Sequence, residues 1–145
     1  MSTKTETKKP KIVRKISAKT VCGSIDVRKL EGDKAKPLFR IFGIVRGLKA
    51  GETDRGQFIA LKGQFQARNE NTMDMYVSSV CYLPRPATEM IEGAFQEGGE
   101  LRFGFLISAV YNSDSVTNYE YVVEPLLETE QNDIMKQLES EVLND

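Results

Sequence analysis

The sequence predicts an all-β domain with one short helix, five strands closing into a small barrel in the order β-β-β-α-β-β. Three observations predict it. Apolar residues recur at every second position over several stretches of 9 to 11 residues; one segment after the third stretch switches to a helical period; and Gly-, Pro- and Asn-rich turns separate the pieces.

In chain order, residues 1–11 (MSTKTETKKPK) are polar, lysine-rich and interrupted by Pro10, too poor in apolar groups to offset ordering entropy, and are expected to form a disordered basic arm. The domain proper is expected over 12–127. Ile12 to Cys22 and Ile25 to Leu30 carry β-branched residues around Gly23 and predict an extra N-terminal hairpin over 12–30. EGDKAKP, residues 31–37, is a turn-rich linker.

The core barrel, 38–127, opens with a strand from Leu38 to Leu48. Phe39, Ile41, Gly43 and Val45 form its apolar row against Arg40, Phe42, Ile44 and Arg46. Gly43 stands in the apolar row, where a missing side chain permits a bend or bulge. KAGETDRG makes the turn. The return strand, Phe58 to Arg68, sets Ile59, Leu61, Gly63, Phe65 and Ala67 on a buried face against Phe58, Ala60, Lys62, Gln64, Gln66 and Arg68 on a wet, cationic one. NENT turns the chain into a third strand, Met75 to Leu83. Its buried face stays open, because Met75, Val77 and Cys81 compete with Tyr76, Val80 and Tyr82. Pro84 and Pro86 stop the sheet, and Thr88 to Phe95 brings Met90, Ile91, Ala94 and Phe95 onto one helical face. Leu101 to Tyr111 alternates most regularly of all, NSDSVTN loops, and Tyr119 to Leu127 closes the set.

Composition narrows the chemistry. The chain has 145 residues, two cysteines and no histidine. Cys₂His₂ zinc sites and Ser-His-Asp or Cys-His catalysis are thereby excluded. Cys22 and Cys81 are expected as free thiols in a reducing cytoplasm. No apolar run approaches the ~18 residues of a membrane span, and no secretory h-region follows the N-terminal lysines, so a cytoplasmic location is expected. Asp26, Asp33, Glu52, Asp54 and Asp74 lack the spacing of a metal-dependent nuclease or a calcium loop. No phosphate-cradling glycine motif occurs. No enzyme, cofactor or metal is therefore expected. The net charge of −1 hides a division: residues 1–70 hold seventeen Lys and Arg against seven Asp and Glu, and residues 71–145 three against fourteen.

Five strands with a helix between the third and fourth is the order of an OB-fold, a partly open Greek-key barrel. The run FRIFGIVRG, then GQFIALKGQFQARN and YVSSVCYLP, followed by a helix and an acidic tail, resembles the single-stranded DNA-binding proteins of bacteriophages. It also resembles the small DNA-binding cofactors that some lytic phages supply to RNA polymerase. The resemblance implies a non-enzymatic, largely sequence-independent binder acting in replication, recombination or transcription, in the host cytoplasm. It implies that the surface of the first three strands and its flanking loops contacts the nucleic acid. Here those positions are Arg40, Phe42, Arg46, Lys49, Arg55, Phe58, Lys62, Gln64, Arg68, Tyr76 and Tyr82. The chain has no tryptophan, so stacking would fall to Phe and Tyr. The alternative for these residues is a solvated cationic face with Phe42 packed beneath the N-terminal hairpin.

The segment 128–145 is acidic, and Ile134, Leu138 and Val142 recur every four residues, as in a short amphipathic helix. In the resembled families such a tail competes with DNA for the basic cleft and recruits RNA polymerase or replication proteins. A helix docked on its own barrel, or on a second subunit of a homo-oligomer, fits the same pattern. The second functional reading is a protein-interaction module, such as a phage transcription cofactor or host-protein modulator. DNA and RNA are not distinguished, since stacking and phosphate contacts serve both.

Overall fold

In the computed structural model, which describes residues 10–54 and 56–126, one strand organises the molecule: β2 (Lys36–Thr53), paired along both of its edges. On one side it pairs antiparallel with β3 (Gly56–Asn69), which passes to β4 (Met75–Cys81). On the other it pairs with β5 (Leu101–Tyr111), followed by β6 (Tyr119–Pro125). The two-residue β1 (Lys11–Ile12) lies parallel to β4, giving one six-stranded sheet of order β1-β4-β3-β2-β5-β6. The expected β-β-β-α-β-β order from residue 38 onward is thus present. The sheet is open among the described residues: β4 pairs with the N-terminal segment rather than with β6.

The N-terminal hairpin over 12–30 does not form. Ser17 accepts the Thr20 N–H at 3.2 Å and caps a helix instead, α1 (Ala18–Cys22), which Gly23 ends with φ of 73°. A 3₁₀ turn follows at Val27–Lys29. Before the helix the chain runs beside β4 far enough for an isolated bridge between Ile16 and Cys81. Buried Asn69 ties α1 to the sheet: its Nδ2 donates to the Val21 carbonyl at 2.9 Å, and its Oδ1 accepts from Asn71 N and Thr72 N in the turn before β4.

The core occupies one face of the sheet. Phe39, Ile41 and Val45 of β2, Leu61, Phe65 and Ala67 of β3, and Phe103, Phe105, Ile107 and Ala109 of β5 fill it, with Ile16 and Val21 from the N-terminal segment. No register shift falls at Gly43, which pairs in step with Phe65 and Phe103. Gly43 makes room for two rings, since a Cβ there would lie 2.5 Å from Phe65 and 3.0 Å from Phe103. The register of β2 shifts before it, between Pro37 and Phe39 against β5, and after it, between Val45 and Gly47, where Arg46 is an extra residue opposite β3. There Gly63 approaches the Ile44 carbonyl so closely that any Cβ would collide with it.

Gly63 also explains the ambiguity of β4. Between Lys62 and Phe65, β3 has two residues, Gly63 and Gln64, where β4 has only Ser79, so the alternation of β4 slips by one. Tyr76 and Cys81, five positions apart, are both buried in the core as a result. Each of the competing patterns holds for half of the strand.

The helix between β4 and β5, α2 (Arg85–Ala94), begins three residues earlier than its apolar spacing indicates. Pro86 sits in its first turn, where a missing N–H breaks no hydrogen bond. Ala87, Thr88 and Ile91 are the buried side, while Met90, expected inward, is 44% exposed. The acidic 128–145 tail, most of the basic arm and Arg55 lie outside the described residues.

Candidate nucleic-acid interface

The outer face of the sheet carries the rows that oppose the core: Arg40, Phe42 and Ile44 on β2, Lys62, Gln64, Gln66 and Arg68 on β3, and Arg102 and Leu106 on β5. Its two ends differ. Toward the turn before β4, Arg40 Nε and Arg68 Nε donate to opposite oxygens of one carboxylate, Glu70, at 3.1 and 3.0 Å. All three side chains are at most 24% exposed. Phe42, between Gln66 and Gly104 in register, is fully buried. Phe42 is therefore not a stacking face, which corrects its place among the expected contact residues. Tyr76 is corrected likewise: it lies in the core, with Lys11 Nζ 5.5 Å from its ring centre. For the two arginines the correction is one of availability, since they serve Glu70.

The other end presents its groups to solvent. Beyond the β5 and β4 pairings, β2 and β3 continue as a two-stranded ribbon. On its outer side Lys49 pairs with Ala60, and at its base Lys62, opposite Gly47 on β2, is still paired with Val80 of β4; both lysines are exposed. Arg102, beside Ile44, is exposed too. Arg46, at the bulge, donates to Glu100 at 2.9 Å and to Gln64 at 3.3 Å, an exposed ion pair worth little net energy in water.

Two rings stand beside these cations. Phe58 is cross-strand from Gly51, and its ring lies where a side chain at Gly51 would go, an aromatic filling the gap over a strand glycine. It meets Tyr82 edge-on, with ring centres 5.9 Å apart. Lys15 Nζ stands 5.2 Å from the Tyr82 ring centre, an arrangement in which the cation meets the negative face of the ring. Both rings are half-buried, so each keeps surface for a ligand. Of the expected positions, Arg46, Lys49, Phe58, Lys62, Gln64 and Tyr82 come together here. Lys15 joins them at Tyr82, and Arg102 extends the same face beside Ile44; neither was expected. Arg102 was legible as a cation on the wet row of the last-but-one strand, whereas nothing local marks Lys15.

The thiols take no part. Cys81 is buried, and burial pushes Cys22 up to about 12, with its Sγ donating to the Leu38 carbonyl at 3.4 Å. Among the described residues no three His, Cys, Asp or Glu side chains gather as metal ligands, and no helix is long and apolar enough to cross a membrane.

An open sheet whose solvent-facing end combines scattered cations with partly exposed rings has the features of a surface for flexible polyanions carrying flat bases. No family model and no solved structure matches the chain. The chain is similar to the single-stranded DNA-binding protein of Enterobacteria phage PRD1, at 30% identity over 131 residues, 90% of this chain and 81% of that protein. It belongs to this family of phage single-stranded DNA-binding proteins.

Proposed function

We propose that the protein binds single-stranded DNA without catalysis and largely without regard to sequence, through the ribbon end of the outer face. The observation that carries this reading is the placement of Lys15, Lys49 and Lys62 next to the Phe58–Tyr82 pair, with Arg102 further along the same outer face beside Ile44. Cations neutralise phosphates and release their counterions, while rings stack on unpaired bases at roughly 1–3 kcal/mol per base. The name borne by the PRD1 relative supports the choice of single-stranded DNA among polyanions. The strand order β4-β3-β2-β5-β6, with α2 between β4 and β5, supports an OB-fold-like arrangement, whose sheet and loops serve this use elsewhere.

In this reading the protein covers exposed strands of phage DNA during replication, recombination or transcription in the host cytoplasm. The acidic tail regulates access to the basic face and contacts polymerase or replication proteins. The test is a titration of fluorescent oligo-dT and of an equal-length duplex at two salt concentrations. Preferential binding of oligo-dT is expected, with a log-log salt slope of about −0.7 per phosphate neutralised. Absence of binding at low salt would overturn the function.

A further inference from the structure

Against the ribbon, the first turns of α2 enclose a groove of about 670 Å³, within the range of small-ligand sites. Phe58 and Tyr82 line it, so the rings assigned to stacking look into a cavity as well as onto the sheet. Among the described residues its charge is opposite to that of the sheet. The described residues around it include Glu52 from β2 and Glu89 and Glu92 from α2, with Arg85 as their cation. Glu89 and Glu92 are exposed and have no hydrogen bond to another described side chain among those the structure shows.

Phosphates are repelled by three carboxylates and attracted by the lysines of the adjoining sheet. A strand crossing from one to the other is sorted by its own chemistry: backbone outside along Lys49 and Lys62, base inside against the rings. The edge of that base then meets acceptors. Cytosine, adenine and guanine carry exocyclic amino donors, and a carboxylate accepting from cytosine N4 is an established pairing. Thymine and uracil offer two carbonyl oxygens and a single N–H, and their carbonyls face the carboxylates unfavourably.

We infer that the groove between the ribbon and α2 is a nucleobase subsite that favours amino-bearing bases, with Phe58 and Tyr82 as its stacking wall and Glu89 and Glu92 as its hydrogen-bond acceptors. This rests on the single-stranded DNA reading above. It adds a preference of base to a surface whose phosphate and stacking contacts have none.

The test compares oligo-dC with oligo-dT of equal length, at pH 7.5 and fixed salt, on the full chain and on the Glu89→Ala/Glu92→Ala variant. Both positions are on the exposed side of α2, so the fold should be unaffected, and circular dichroism checks it. For the wild type, oligo-dC is expected to bind roughly fivefold to tenfold more tightly. In the variant oligo-dC should weaken while oligo-dT is unchanged or tightens, bringing the ratio near one. Equal tightening of both oligomers would show the glutamates to be mere repulsive charges and would overturn the subsite. So would a wild-type ratio of one, or a preference for oligo-dT. Failure of both oligomers to bind the wild type would instead remove the function itself.

Discussion

Arg40 and Arg68 share the single carboxylate of Glu70, one guanidinium on each oxygen, at 3.1 and 3.0 Å. The alternation of β2 and β3 presents these arginines on the wet face, yet both are already paired inside the molecule. The structure thereby divides one face into an end whose cations are paired internally and an open end, and the division can be measured.

Replacing Glu70 by Gln leaves Arg68 without its counter-charge while keeping an acceptor. Oligo-dT binding should tighten at low salt and the salt slope should steepen, by about 0.7 for each further phosphate neutralised. An unchanged slope would mean that DNA does not reach this end.

At the open end, Lys62→Ala with Arg102→Ala should flatten the slope by about 0.7 to 1.4, according to whether one or both cations meet a phosphate. Thermal stability should hardly move, because both side chains are exposed. The readout is the binding constant at four or more salt concentrations.

Phe58→Ala should act through the other component, weakening oligo-dT by roughly 1–3 kcal/mol if one base stacks there, with the slope preserved. Tyr82→Phe should retain most of the affinity and Tyr82→Ala should not. A parallel loss of slope in Phe58→Ala would show that the ring positions cations rather than bases.

Phe42 gives the contrasting case. Its full burial makes Phe42→Ala a core truncation, expected to cost about 3–5 kcal/mol in denaturant unfolding. The more conservative Phe42→Leu should unfold somewhat earlier but bind oligo-dT normally below its transition.

Cys22 supplies a pH dependence. Desolvation raises it from its ordinary 9.0 to about 12, and burial moves Cys81 in the same direction. The unfolded chain releases these protons first, so above about pH 9 the folded state binds more protons than the unfolded state. The thiols' contribution to stability should therefore be level below that point and fall as pH rises from about 9 toward 12. Cys22→Ala should fall less steeply over the same interval. In the native protein at pH 8, thiol-modifying reagents should react far more slowly than after denaturation, since nucleophilic attack needs the thiolate.

Much of this molecule was legible residue by residue. Leu101–Tyr111 is a strand with the bounds its alternation indicates, because a half-buried strand writes its two faces into every second residue. The β2–β3 hairpin and its wet row with Phe58 and Lys62 were legible too, but not its length: β2 runs on to Thr53 and β3 starts at Gly56, so most of the KAGETDRG segment expected as a turn is paired strand. The family could be read as well, from the order of elements and the FRIFGIVRG and GQFIALKGQFQARN runs.

Other features depend on partners distant in sequence. Ser17 and Gly23 mark a helix that β-branched neighbours disguise as a hairpin. The slip in β4 arises in β3, at Gly63, so no inspection of residues 75–83 could settle which face is buried. Lys15 reaches Tyr82 only because the N-terminal segment lies parallel to β4. Period two fixes which side of a strand a residue takes. Whether an outward residue then meets water, a carboxylate such as Glu70, or a wall of neighbours as Phe42 does depends on strand pairing and sheet curvature. Here those placed the open cations and rings together at the ribbon end.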